Sequence, residues 1–361
     1  MIKIKKHGII LAKTRRHFEN RAVLNPAAIR TATGIRLYFR AVARNGVSCI
    51  SFADLSDPTT VARRSKKPLL RPEFRYECCG IEDPRVLWIE EDGLYYFFYT
   101  AYDGLNARGA YAYSPNLNDF KKMGPITPKI PYNEIFKSLR ASSNTAPYTA
   151  FAKLYHSQDG KERLLWEKDI FMFPKKINGL YILIHRVLPS IQIIRFKHFR
   201  ELKSTEFWKR YFRTIHEYEL LTPRYAHENR NIGGGAPPLE VAEGYLLIYH
   251  SVENISHGVR YHACAALLDK SDPQQIIGRL PYPLFSPTES WEYTGDVNNV
   301  VFPTGLISSG GRLYIYYGAA DSSIAVASVS LKRLIHELIS YPPKDIKNPS
   351  SADNQSRAKP V

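Results

Sequence analysis

Gly93-Leu94-Tyr95-Tyr96-Phe97-Phe98-Tyr99, followed after a polar turn by Gly109-Ala110-Tyr111-Ala112-Tyr113-Ser114, reads as two short strands buried on both faces. The runs are rich in aromatic residues, too short for a helix, and bounded by glycine and charged turns. Four more segments repeat the pattern. Gly34-Ile35-Arg36-Leu37-Tyr38-Phe39-Arg40 precedes Ser48-Cys49-Ile50-Ser51-Phe52-Ala53, and Gly179-Leu180-Tyr181-Ile182-Leu183-Ile184-His185-Arg186 precedes Ile191-Gln192-Ile193-Ile194-Arg195. Gly244-Tyr245-Leu246-Leu247-Ile248-Tyr249-His250 precedes Tyr261-His262-Ala263-Cys264-Ala265-Ala266, and Gly311-Arg312-Leu313-Tyr314-Ile315-Tyr316-Tyr317 precedes Ile324-Ala325-Val326-Ala327-Ser328. A lone hairpin cannot bury its apolar faces, whereas a ring of sheets buries them against one another. Hairpins recurring about 60 to 85 residues apart therefore predict an all-β chain, a five-bladed β-propeller. A β-sandwich is the competing arrangement, but sandwiches space their strands more closely.

Composition agrees with a folded, non-membrane protein. The 361 residues are 44% hydrophobic and 12% aromatic, enough for a sizeable core, and the mean hydropathy is -0.31. No apolar run approaches the ~18 residues of a membrane span, and Met1–Gly8 has no signal-peptide core. The four cysteines, Cys49, Cys78, Cys79 and Cys264, form no CxxC pair, so reduced thiols and a cytoplasmic location are expected. The net charge of +16 is spread along the chain. It fits a basic surface or an anionic small substrate, and no nucleic-acid motif accompanies it. No membrane or nucleic-acid partner is expected, no metal spacing is present among the histidines, and a homo-oligomer is left open. Residues 130–165 read as an insertion between blades, 200–223 as containing a short helix, and Leu331–Leu338 as a closing helix. One catalytic domain over residues 1–340 is expected, with 341–361 as a disordered tail.

A propeller gathers ligands at one end of its axis, so polar residues at the ends of apolar strands carry the information. Five groups qualify: Asn25-Pro26 with Arg40; Glu82-Asp83-Pro84-Arg85; Lys168-Asp169 with His185-Arg186; Gly233-Gly234-Gly235 with Tyr249-His250; and Asp321. A carboxylate among arginines, tyrosines and histidines suits sugar chemistry. Glycosidic cleavage needs an acid for the leaving oxygen and a nucleophile on the opposite face. An attacking water needs a second carboxylate as base. An attacking phosphate is already nucleophilic and needs cations to hold it.

The sequence resembles glycoside hydrolase family 130. The resemblance rests on ordered motifs from about residue 20 to 335: Asn25-Pro26-Ala27, Gly80-Ile81-Glu82-Asp83-Pro84-Arg85, Phe173-Pro174-Lys175-Lys176-Ile177-Asn178-Gly179, Ile184-His185-Arg186 and Gly233-Gly234-Gly235-Ala236-Pro237-Pro238. Tyr249-His250, Ala266-Leu267-Leu268-Asp269 with Asp272-Pro273, Asn299-Val300-Val301-Phe302-Pro303-Thr304-Gly305 and Tyr316-Tyr317-Gly318-Ala319-Ala320-Asp321 continue it. The resemblance implies a five-bladed propeller acting on β-mannosides. It also implies inverting phosphorolysis to α-mannose 1-phosphate, or in some members β-1,2-mannosidase action with water. It makes Asp83 the general acid, relaying its proton through the mannose 3-hydroxyl. Asn25, Arg40, Arg85, His185, Tyr249 and Asp321 become substrate-binding residues. Lys168, Arg186 and Asn231, with His250 nearby, become the phosphate site. Asn231 departs from the pattern, which has a lysine there, and Arg230 beside it is a possible substitute. Glu228 and Glu167 are the alternative bases for water, so phosphorolysis and hydrolysis both stay open, with phosphorolysis favoured by the two retained cations. No cofactor is expected beyond phosphate as co-substrate. The remaining reading is a propeller that binds carbohydrate without catalysis.

Overall fold

The computed structural model describes residues 2–141, 145–155, 161 and 163–343. All five expected hairpins are antiparallel pairs, and each is extended into a meander. Gly34–Val42 and Ser48–Asp57 are flanked by Ala22–Thr31 and Thr60–Arg64. Leu94–Tyr102 and Ala107–Ser114 are flanked by Gly80–Ile89 and Lys121–Pro125. These two meanders meet through one parallel pair, Ser48 with Gly80, making an eight-stranded sheet. A Cβ on Gly80 would lie 2.3 Å from Ser48 Oγ, so glycine is what permits the junction.

Tyr181–Val187 and Ser190–Phe196 form the third sheet with Phe171–Met172 and Glu219–Leu221. In the fourth, Gly244–Ile255 pairs with Gly258–Leu268 on one side, and on the other with Asn231–Gly234 and Leu239–Val241 in turn. Ile276–Arg279 completes it. The last sheet joins Val301–Ser309, Arg312–Ala319 and Ser323–Ser330 to Lys5–Leu11 from the start of the chain. The first strand thereby covers the edge that the last hairpin would expose. The central strands of the sheets are largely apolar. Tyr38, Phe97, Phe98, Ile184, Tyr245, Ile248, Ile315 and Tyr317 are all fully buried.

Helices fall where the strand rhythm breaks. Tyr132–Arg140 and Ala146–Tyr155 occupy the insertion. Thr205–Arg213 is capped by Ser204, whose side chain accepts from the Phe207 N–H, and it buries Trp208, Tyr211 and Phe212 at helical spacing. Leu331–Ile339 buries Leu334, Ile335 and Leu338. The tail expected from residue 341 lies outside the described residues from 344 onward. Tyr341 itself still accepts a backbone hydrogen bond from Arg279 at 3.0 Å. Among the described residues, no helix is long and apolar enough to cross a membrane.

Candidate active site

The first strands of the meanders converge on a cavity of about 250 Å³. Asn25, Asp83, Asn231 and Phe302 reach it from four of these strands, and Lys168 and Asp169 from just ahead of the fifth. Local backbone devices aim them. The ladder slips between Leu24 and Ala27, and again between Glu82 and Arg85, so Asn25-Pro26 and Asp83-Pro84 bulge out of register in adjacent meanders. Proline suits a bulge because it has no N–H to leave unpaired. Asn25 and Asp83 both take φ of 51°, Asp169 58° and Asp321 49°. Half of the eight described non-glycine residues at positive φ thus line this one cavity. Asp and Asn tolerate that conformation best, and strain of this kind gathers at functional sites.

One side of the cavity holds a carboxylate pair. Asn25 Nδ2 donates to Asp83 Oδ1 at 2.7 Å. Arg40 Nη1 lies 3.5 Å from the same oxygen, and Glu82 ties Arg40 to Lys168, whose Nζ is 3.3 Å from Glu82 Oε2. Burial pushes Asp83 upward, but Arg40, Lys168, the Asn25 hydrogen bond and Arg85 together hold it below the ordinary aspartate value. At Asp321 the same cations, Arg40 and Lys168, are outweighed. Burial, and then the negative charge of Asp83, push it up to about 6. The two carboxylates are thus pushed apart, with Asp321 the weaker acid of the pair.

The other side carries three cations, Lys168, Arg186 and Arg230, with Asn231 and His250 beside them. Asp169 lies among them, 2.6 Å from Arg186 Nη1, 3.4 Å from Arg85 Nη2 and 4.0 Å from His250 Nε2. Burial lowers His250 to about 4, and Arg186 and Arg85 add to this against the opposing pull of Asp169, so the imidazole is neutral at pH 7. Trp166, Tyr261 and Phe302 supply aromatic walls.

Nine residues singled out from the sequence meet in this cavity: Asn25, Arg40, Asp83, Lys168, Arg186, Arg230, Asn231, His250 and Asp321. Five others do not line it. His185 is fully buried on the far face of its strand, with Nδ1 3.0 Å from Tyr211 Oη and Nε2 3.4 Å from Glu167. Tyr249 is also fully buried and donates to Glu228 at 2.8 Å. In His185-Arg186 and Tyr249-His250 the strand sends neighbours to opposite faces, so only the second of each pair reaches the cavity. Arg85 lies behind the wall, bonded to the carbonyls of Asp83, Pro84 and Gly235, where it braces the backbone that carries Asp83.

Glu228 and Glu167 are corrections of the same kind. Glu228 accepts from Arg279 Nη2 and Tyr249 Oη and from the backbone N–H groups of Arg224 and Tyr225. Glu167 accepts from Thr127 and packs on His185. Both are buried, and neither lines the cavity. His227, Glu228 and Cys264 lie within 4.8 Å of one another. The Arg279 guanidinium already occupies that carboxylate and would repel a metal cation.

Sequence reasoning gave no role to Asp169, Trp166, Tyr261 or Phe302. Asp169 left a signal as the neighbour of Lys168, and Phe302 as part of the Asn299–Gly305 motif. An all-β scaffold that brings strand-end aspartates and cations to one aromatic-walled cavity marks a carbohydrate-active protein. A family model described as beta-1,4-mannooligosaccharide phosphorylase matches residues 4–339, and the chain belongs to that family, glycoside hydrolase family 130. It is an enzyme of this family.

Two relatives come from Thermoanaerobacter sp. (strain X514). A 1,2-beta-oligomannan phosphorylase is 29% identical over 345 residues, 92% of this chain and 99% of the relative. A beta-1,2-mannobiose phosphorylase is 30% identical over 345 residues, 90% of this chain and 96% of the relative. Among solved structures, a beta-1,2-mannobiose phosphorylase from Listeria innocua in complex with beta-1,2-mannobiose superposes with a TM-score of 0.70. It is 20% identical and covers 93% of this chain and 99% of its own, a likeness of fold.

Proposed function

We propose that this enzyme phosphorolyses β-mannosides with inversion, releasing α-mannose 1-phosphate from a β-mannobiose or manno-oligosaccharide. The observation that carries the reading is the division of the cavity: the Asp83–Asp321 pair with Asn25 and Arg40 on one side, and Lys168, Arg186, Arg230 and His250 on the other. The first side suits a mannose ring and the second an anion. The family description and both Thermoanaerobacter relatives are phosphorylases, which supports the same choice. Those two relatives act on β-1,2-linked substrates, and we take β-1,2 as the preferred linkage. The five meanders, four of four strands and one of five, are read as the blades of a propeller that makes one catalytic domain over residues 1–340, with the cavity at its axis. The four free thiols support a cytoplasmic location.

The reaction needs one nucleophile and one acid. A phosphate oxygen forms the bond to C1 as the bond from C1 to the leaving oxygen breaks. The leaving oxygen takes a proton from the mannose 3-hydroxyl, which takes one from Asp83. The proton given up by hydrogen phosphate balances the cycle. Asp83 is held ionised in the free enzyme partly by Lys168. A phosphate dianion beside Lys168 offsets that field, so the acid is loaded only when phosphate is present. Asp321 accepts from mannose hydroxyls, and Trp166 is placed to stack on a sugar face.

Hydrolysis is the second reading, and it is disfavoured by the burial of Glu228 and Glu167 away from the cavity. The test is product analysis on β-1,2- and β-1,4-mannobiose with and without phosphate. Mannose 1-phosphate that requires phosphate, and no turnover by Asp83→Asn, is the expected result. Free mannose formed at a rate indifferent to phosphate would overturn the proposal.

A further inference from the structure

The four free thiols fall into two kinds. Cys49 and Cys264 are buried in strands, and burial pushes each thiol up to about 12. Cys78 and Cys79 stand together at the surface, Cys78 exposed and Cys79 half-buried. They follow the short helical turn Arg75–Glu77 and lead into the strand Gly80–Ile89. Neighbours in a strand point to opposite faces. Here Cys78 has helical backbone angles, φ -61° and ψ -21°, and the two Sγ atoms lie side by side, 3.9 Å apart. The Cys79 N–H donates to the Tyr102 carbonyl at 2.9 Å, which holds the turn. Gly104 leaves the second sulfur uncrowded, since a Cβ there would lie 3.0 Å from Cys79 Sγ. Neither cysteine lines the catalytic cavity.

Adjacent cysteines make a poor disulfide. Their peptide bond is trans. It keeps the Cα atoms about 3.8 Å apart, short of the roughly 4.4–6.8 Å of an unstrained bridge. A single atom placed between the sulfurs is easier to fit. With bonds of ~2.3 Å, the length of a metal–thiolate bond, it sets the sulfurs roughly 3.3–3.8 Å apart for angles from a right angle to tetrahedral. The observed 3.9 Å needs only a small side-chain rotation to match.

That atom must be content with two protein ligands. Among the described residues, no histidine, aspartate or glutamate ligand atom joins these sulfurs in a group of three. Zinc is poorly served, because its sites supply three or four protein ligands. A monosubstituted trivalent arsenical, R–As=O, brings its own third ligand. It condenses with two thiols: two As–S bonds form, the As=O bond and two S–H bonds break, and the oxygen leaves with both protons as water. Arsenic stays trivalent, and no oxidant is consumed. Burial, and then Cys78 and Asp103, hold the Cys79 thiol above its ordinary value, so it keeps the proton that the departing water takes.

We propose that Cys78 and Cys79 form a vicinal dithiol site that chelates trivalent arsenicals, apart from the catalytic cavity. The experiment uses the full-length protein, freed of reductant, with phenylarsine oxide as the probe. N-ethylmaleimide should label two of the four thiols of the native chain, counted by intact mass. One equivalent of phenylarsine oxide should protect both together and add a single phenylarsenic group. Excess dimercaptopropanol should remove that group, and mercaptoethanol at the same thiol concentration should not. Cys78→Ser and Cys79→Ser should each weaken binding at least ~100-fold, because a chelate that loses one arm forfeits its effective concentration. Zinc chloride at the same concentration should leave both thiols open to maleimide.

Binding that survives either substitution within about 10-fold would place the arsenical on one thiol or elsewhere, and would overturn the chelate. Equal protection by zinc would overturn the two-ligand argument. A native chain two hydrogens lighter and blind to maleimide would show a vicinal disulfide and sink the site. Should a serine variant not fold, the wild-type stoichiometry decides: one arsenical consuming two thiols supports the chelate, and one consuming a single thiol overturns it.

Discussion

Replacing Asp321 with asparagine should make the free enzyme more stable and less active. Asp321 is pushed from 3.8 to about 6 in the folded protein by burial and by the charge of Asp83. Its folded pKa lies above its unfolded one, so the folded state binds more protons between these values, and stability falls as pH rises through them. At pH 7.5 the ionised carboxylate costs roughly 3 kcal/mol, because each unit of pKa is worth about 1.4 kcal/mol. At pH 4.5 the cost has shrunk to about 1 kcal/mol, and below the unfolded pKa it vanishes.

Asparagine keeps the shape and removes the charge. Guanidinium unfolding without substrate should show the variant stabilised by up to ~3 kcal/mol at pH 7.5, with the gain dropping towards ~1 kcal/mol at pH 4.5. Over the same pair, kcat/KM for mannobiose should fall about 10- to 100-fold, the loss of one charged hydrogen bond to a sugar hydroxyl. A variant no more stable than wild type at pH 7.5, or a gain that ignores pH, would refute the like-charge account of this pair.

Three further outcomes follow from the same geometry. Gly318→Ala places a Cβ 2.2 Å from Asn25 Oδ1; displacing that amide from Asp83 should cut kcat at least ~10-fold with the circular dichroism spectrum retained, and full activity would show that Asn25 does not tune the acid. Lys168→Ala should raise the phosphate KM about 10- to 100-fold while mannobiose affinity, measured without phosphate, changes only a few-fold; equal losses for both ligands would put Lys168 outside the anion site. Arg279→Met leaves Glu228 buried without its cation and should destabilise the protein by about 3–5 kcal/mol without changing the reaction products, whereas a switch in products would return Glu228 to the chemistry.

Much of the scaffold was legible because aromatic runs between glycines leave few choices. Leu94–Tyr102 and Ala107–Ser114 sit where the sequence put them, within about three residues at their ends. The cavity was half legible. Asp83 and Asp321 stood out as polar residues at the ends of apolar strands, and the Glu82-Asp83-Pro84-Arg85 motif of the family resemblance gave Asp83 its role. Lys5–Leu11 was not legible as part of the last sheet, since a strand gives no sign of a partner more than 300 residues away. The Asp169 carboxylate was hidden beside a lysine that already had a role.

The amino-acid order alone settled which stretches become strands, because a period of two and β-favouring side chains are local properties. Tertiary structure alone settled which face of each strand looks into the cavity. In strands buried on both sides every position is apolar enough for either face, so the pattern carries a period but no phase. The pairing of Tyr249 with Cys264 and of His250 with Ala263, and the layers stacked on them, fix that phase. They turned His250 and Arg186 towards the anion side, and buried Tyr249, His185, Glu228 and Glu167 behind it.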